Sequence, residues 1–193
     1  MTPSTAPLSR ALAKVQYRIL PLLIAGYFAA YLDRVNISFA ALQMNSDLSI
    51  GPEAFGFVSG VFFLGYCLFE VPSNIVMTWV GARLWLARIM ITWGMLSAAT
   101  AFVSDVHMLA IVRFLLGAAE AGFFPGVIYY LTNWVPAAER ARIVSLFMMA
   151  IPISTIIGAP ISGWILDTSN GVLGFRGWQW QFLLEALPAM TLG

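Results

Sequence analysis

The reading of this chain turns on "YFAAYLDRVNISFAAL", residues 27 to 42. Most of the stretch is aromatic or aliphatic, as a membrane span requires. Asp33 and Arg34 nevertheless stand side by side in its middle. Only 10% of the chain's residues are charged. An adjacent acid and base inside an apolar run therefore need a physical reason, because ionised groups are most costly to keep at mid-membrane.

The surrounding composition makes the membrane reading general. The 193 residues are 60% hydrophobic, with a mean hydropathy of +0.84. A soluble domain is nearer half apolar and a quarter charged, so lipid is the expected solvent. A net charge of +1, without basic patches interleaved with aromatics, excludes a nucleic-acid partner. The lone cysteine, Cys67, lies in an apolar run; it supports neither a disulfide framework nor a metal cluster, and no cofactor is implied.

Crossing about 30 Å of hydrocarbon takes roughly 20 apolar residues as a helix. Runs of that length lie at about 17–40, 54–78, 85–104, 108–131, 142–167 and 179 onward. They are separated by the turn-rich breaks "QMNSDLSIGPE", "VGAR", "SDVH", "NWVPAAERAR" and "DTSNGVLGFRGW". Barrel strands would alternate over stretches of about ten residues, which these runs do not. The expectation is an all-α polytopic membrane protein of six helices over residues 16–193, behind a disordered cytoplasmic tail at 1–15. The sixth run reaches Gly193 after only about 15 residues, so its helix reads as truncated and the chain as part of a longer protein.

Basic residues near the span ends set the orientation. Arg10, Lys14 and Arg18 precede the first helix; Arg83 and Arg88 lie at the second connection, and Arg140 and Arg142 at the fourth. The opposite side has only Arg176. The N-terminus is expected in the cytoplasm.

Asp33, Arg34, Glu70, Arg113 and Glu120 fall within or at the edges of the spans, with Glu185 a further case in the sixth. Each lone charge at mid-bilayer costs about 2.5–3.5 kcal/mol on insertion scales, so such groups face cavities and pair. Arg34 lies 16 residues past Arg18, about 24 Å along its helix. Arg113 lies six residues past His107, about 9 Å into a helix running the other way. The two guanidinium groups are expected at similar depth in the outer half of the membrane, with Glu120 two turns deeper on the face of Arg113. Asp33 points about 100° from Arg34. The expected site is a cationic pocket with a carboxylate on each wall. Two guanidinium forks suit a carboxylate anion, and buried acids suit proton carriage. Arg34 and Arg113 are thus candidates for anion binding, and Asp33 and Glu120 for proton coupling. A static reading, in which Asp33–Arg113 or Arg34–Glu120 tie helices one and four together, stands beside it. Tyr31, one turn before Arg34, and Tyr66 in the second run are candidates to orient substrate. Glu70, near a helix end, reads as structural.

Small residues four apart in "GAAEAGFFPG" and "GAPISGW" allow close helix approach, and Pro160 permits a bend. An intramembrane protease is disfavoured: His107, the only histidine, sits in a boundary loop, and no catalytic pair is in reach. An ATP-driven pump lacks its phosphate loop.

Several long stretches together resemble the major facilitator superfamily, and within it the anion:cation symporter family, near the bacterial tartrate- and aromatic-acid-type branch. They are "YLDRVNISFAALQM", "GYCLFEVPSNIVMTWVGARLWLARIMITWG", "RFLLGAAEAGFFPGVIYYLTNWVPAAERAR" and "GAPISGWIL". The resemblance implies the N-terminal six-helix bundle of a twelve-helix, monomeric transporter of the bacterial cytoplasmic membrane. It also implies alternating-access, proton-coupled symport of small organic anions such as carboxylates or sugar acids. It places the family's acid–arginine pair on Asp33 and Arg34, its helix-four pair on Arg113 and Glu120, and its substrate-facing tyrosines on Tyr31 and Tyr66. The loop after helix two departs from the superfamily pattern, with Asn74 and Thr78 in place of its glycine and aspartate. The partial glycine–proline motif of helix five argues against drug export, the alternative use of the same fold. A C-terminal half is expected as partner.

Overall fold

The computed structural model describes residues 15–193. But for Val15, the expected tail lies outside the described residues. All regular structure among the described residues is helical. A short π-helical turn, Val15–Ile19, leads into α1 (Leu20–Asp47); α2 (Pro52–Val80), α3 (Ala82–Thr100), α4 (Val106–Glu120) and α5 (Phe123–Trp134) follow. Then come α6 (Ala137–Met148), α7 (Ala150–Thr168), a 3-10 turn at Val172–Gly174, and α8 (Gly177–Leu192).

These eight segments make six spans. The fourth is α4 with α5, a run of 29 residues; the fifth is α6 with α7, a run of 32. Together with α2, those two meet length and hydropathy standards for crossing a membrane; α8, at 16 residues, is too short to meet them. Phe57, Leu64, Leu68, Trp79, Ile156 and Trp164 are all exposed in the isolated chain.

Local chemistry explains most boundaries. Pro52 opens α2 where its missing N–H costs nothing. Gly81, at φ +94°, is the single residue between α2 and α3. Asp105 caps α4, its carboxylate accepting from the N–H groups of His107 (2.8 Å) and Met108 (2.9 Å). The first helix runs past its expected end to Asp47, because "QMNSD" contains no helix breaker. The fifth span begins earlier than expected, since "AAERAR" after Pro136 is strongly helix-forming. It is interrupted at Met149 rather than Pro160; Pro152 removes the N–H that would bond back to Met148.

The fourth span breaks at Ala121–Gly122, which the sequence reading did not foresee. Ala121 is extended (φ −55°, ψ 132°) and Gly122 is left-handed (φ +88°). Glu120 is therefore the last residue of α4.

Helix order follows the small residues. α2 runs against α4, α3 against α8, and α1 against both α7 and α8. A Cβ on Gly117 would lodge on the Phe62 carbonyl, and one on Gly65 on the Phe114 carbonyl. The two glycines thus set a reciprocal backbone approach of α2 and α4. Gly158 admits Leu32 of α1 in the same way, whereas Gly163 has nothing nearby. One apolar core gathers Tyr27, Trp93, Phe123 and Phe147; a second gathers Met44, Leu109, Trp178 and Phe182.

Candidate functional site

The first core borders a cavity and a set of buried polar side chains. Tyr27, Tyr31 and Arg34 recur at positions i, i+4 and i+7 of α1, so they share one face. That face, with Phe63 and Tyr66 of α2, Phe124 of α5 and Met148 of α6, lines a cavity of about 270 Å3. The walls are aromatic, and Arg34 is the one charged residue lining them.

Arg34 is held from two directions. Its Nη2 lies 2.6 Å from Glu120 Oε1, and its Nε donates to the same oxygen at 2.9 Å. Its guanidinium carbon stands 5.1 Å from the ring centres of Tyr31 and Tyr66 and 5.8 Å from that of Phe62. These are cation–π distances. The ring of Phe62 also meets the Arg113 guanidinium, at 4.7 Å. A single phenyl ring therefore contacts both guanidinium groups.

The other three charged candidates lie behind the cavity wall. Asp33, Arg113 and Glu120 are all buried and are absent from its lining. The expected pocket with a carboxylate on each wall is corrected accordingly: one arginine faces the cavity, and the acids stand behind it. Asp33 turns toward α3, where Ser97 Oγ donates to its Oδ1. Asp33 and Arg113 form no ion pair, whereas Arg34 and Glu120 do. Several groups in this layer keep hydrogen-bonding capacity with no protein partner: Asp33 Oδ2, Trp93 Nε1, Arg113 Nε and Nη1, and Glu120 Oε2. Buried polar atoms of this kind are costly unless they are used.

Sequence reasoning missed Tyr27, Ser97 and Trp93. The i, i+7 spacing from Tyr27 to Arg34 was a usable signal. Nothing in the local sequence distinguishes Ser97 from any other small residue of a packed helix. Glu70 has no ion-pair partner among the described residues, and its backbone carbonyl accepts from Asn74 Nδ2 at 2.7 Å.

Comparison with known proteins bears on the fold and the family. A crystal structure of a bacterial homologue of the human lysosomal transporter Spinster, in an inward-facing and occupied conformation, superposes with a TM-score of 0.78. At 18% identity, over 93% of this chain and 43% of that one, it shares the fold. NicT of Pseudomonas putida, named as a metabolite transport protein, is 56% identical over 94% of this chain. A protein of Agrobacterium vitis named as a tartrate transporter is 55% identical over 96%. A quinolone resistance transporter of Acinetobacter baumannii is 43% identical over 92%. This chain spans about two fifths (41%) of the length of each of these three relatives, matching their N-terminal part. It is the six-helix N-terminal bundle of a transporter fold and not an enzyme. The model of the Major Facilitator Superfamily matches residues 23–193, and the chain belongs to that family.

Proposed function

We propose that this chain is half of a proton-coupled symporter that takes up small organic anions, such as carboxylates or sugar acids, by alternating access. The observation that carries the reading is the position of Arg34: the one charge on an aromatic cavity, paired with a buried acid. A guanidinium fork grips a carboxylate through two parallel N–H donors. While Glu120 is ionised it occupies that fork. Protonation of Glu120 weakens the pair and frees Arg34 for an incoming anion, so proton and anion arrive together. Arg113 adds positive potential from behind Phe62, and Asp33, held by Ser97, is the second proton carrier. Tyr31 and Tyr66 stack on Arg34 and offer hydroxyls to the substrate. A second six-helix half of the same monomeric transporter completes the site, with residues 16–193 as the first. The Lys and Arg distribution supports an N-terminus on the cytoplasmic face of a bacterial inner membrane.

Uptake of candidate acids into proteoliposomes holding the full-length transporter, under an imposed pH gradient, tests the reading. Uptake should follow an inward proton gradient and be lost in Arg34→Ala and Arg113→Ala. Asp33→Asn and Glu120→Gln should keep anion exchange but lose accumulation. Uptake indifferent to the gradient and to both arginine variants sinks it.

The quinolone resistance relative favours a second reading, proton-driven export by the same fold. In that case an inward proton gradient would empty the vesicles of substrate instead of filling them.

A further inference from the structure

A second polar cluster lies on the opposite side of α1, where α7 and α8 close against it. Gln181 and Glu185 are one turn apart on α8, so both side chains point to the same buried seam. Asn36, Ser162 and Gln181 are fully enclosed, and Glu185 is 4% exposed. Ser162 Oγ donates to Glu185 Oε1 at 3.0 Å and lies 3.5 Å from Asn36 Oδ1. Gln181 Nε2 donates to the Asn36 carbonyl at 3.3 Å. Three atoms then remain without a protein partner: Glu185 Oε2, Gln181 Oε1 and Asn36 Nδ2.

Charge is what this cluster lacks. Among the described residues no lysine, arginine or histidine pairs with Glu185. Asp33, of the same sign, stands three residues before Asn36 and so on the same side of α1. Next to Glu185, α3 sets Gly94 against the Ala186 carbonyl and α7 supplies Ser162, both uncharged. An ionised carboxylate without a counter-charge is disfavoured in a lipid-embedded core. A carboxylic acid is not, because its O–H is a donor. A hydrogen on Oε2 turns that orphaned acceptor into a donor, and Gln181 Oε1, one turn away on the same face, is an orphaned acceptor.

We propose that the Asn36–Ser162–Gln181–Glu185 cluster is a second proton-holding site, with the proton on Glu185 Oε2 and shared with Gln181 Oε1. Glu185 remains a neutral acid. This inference does not depend on transport being proton-coupled, nor on the identity of the transported anion.

Infrared spectroscopy of the full-length protein in lipid nanodiscs at neutral pH tests it directly. A carbonyl stretch of a protonated carboxylic acid should be present, lost in Glu185→Gln and retained in Asp33→Asn. Ser162→Ala, which leaves Glu185 in place, should move the same band to higher frequency, because Ser162 donates to the carbonyl oxygen. A spectrum in which neither Glu185→Gln nor Ser162→Ala changes such a band overturns the proposal. So does a rise in melting temperature with sodium chloride, but not choline chloride, that Glu185→Gln abolishes; the occupant would then be a metal cation.

Discussion

Arg34 of α1 and Glu120 of α4 meet at 2.6 Å, although the backbones of those two helices do not pack closely against each other. The pair spans the gap between them. Its two members differ in surroundings: the Arg34 side chain is 22% exposed, toward the cavity, and that of Glu120 is 1% exposed.

That asymmetry predicts unequal costs. Arg34→Ala strands a buried carboxylate and should destabilise the folded protein by about 3–5 kcal/mol. Glu120→Ala should cost less, since Arg34 still faces the cavity and three aromatic rings. The double variant should be more stable than Arg34→Ala alone. Chemical denaturation of the full-length protein reads all three; additive losses would mean that the two residues do not interact.

The α2–α4 contact depends on the absence of two Cβ atoms. Gly117→Ala should cost about 1–3 kcal/mol by forcing the helices apart, since the new methyl group meets backbone rather than a yielding side chain. Gly163→Ala, in open space within α7, should be neutral or slightly stabilising. Equal melting temperatures for the two variants would refute the close approach.

Gly122 carries two burdens at once. Its left-handed backbone costs an L residue roughly 1–2 kcal/mol, and a Cβ there would also strike the Ser73 side chain. Gly171, at φ +85°, has open space around it. Gly122→Ala should therefore lower the melting temperature more than Gly171→Ala. The reverse order would place no steric load on the break in the fourth span.

Asp105 supplies a pH signature outside the membrane. The N–H groups of Met108 and His107 hold its carboxyl below the ordinary carboxylate range. A depressed value in the folded state stabilises above the unfolded pKa, and the gain is lost as pH falls through the folded one. Asp105→Ala should therefore melt below the wild type at neutral pH, and the gap should close as the medium is acidified past about pH 4. Asp105→Asn, which caps without titrating, should show no such closing. A gap that is constant with pH would remove Asp105 as the cap.

The spans, the breaks between most of them, and the charged residues that needed partners were all legible in the chain itself. Hydropathy, proline and glycine placement and helical period act over a few turns, so a run such as residues 27–42 declares both its membrane character and its anomaly. The sequence also carried the i, i+4, i+7 alignment of Tyr27, Tyr31 and Arg34, and the small-residue spacing that presses α2 on α4. Only the tertiary structure decided which acid meets which base. It paired Arg34 with Glu120, turned Asp33 to Ser97, set Arg113 behind Phe62 and gave Glu185 a seam of neutral partners. Those outcomes depend on how helices are ordered around the bundle and at what depth their faces meet. Residues 86 positions apart, such as Arg34 and Glu120, share no local pattern; what joins them is the packing of everything between.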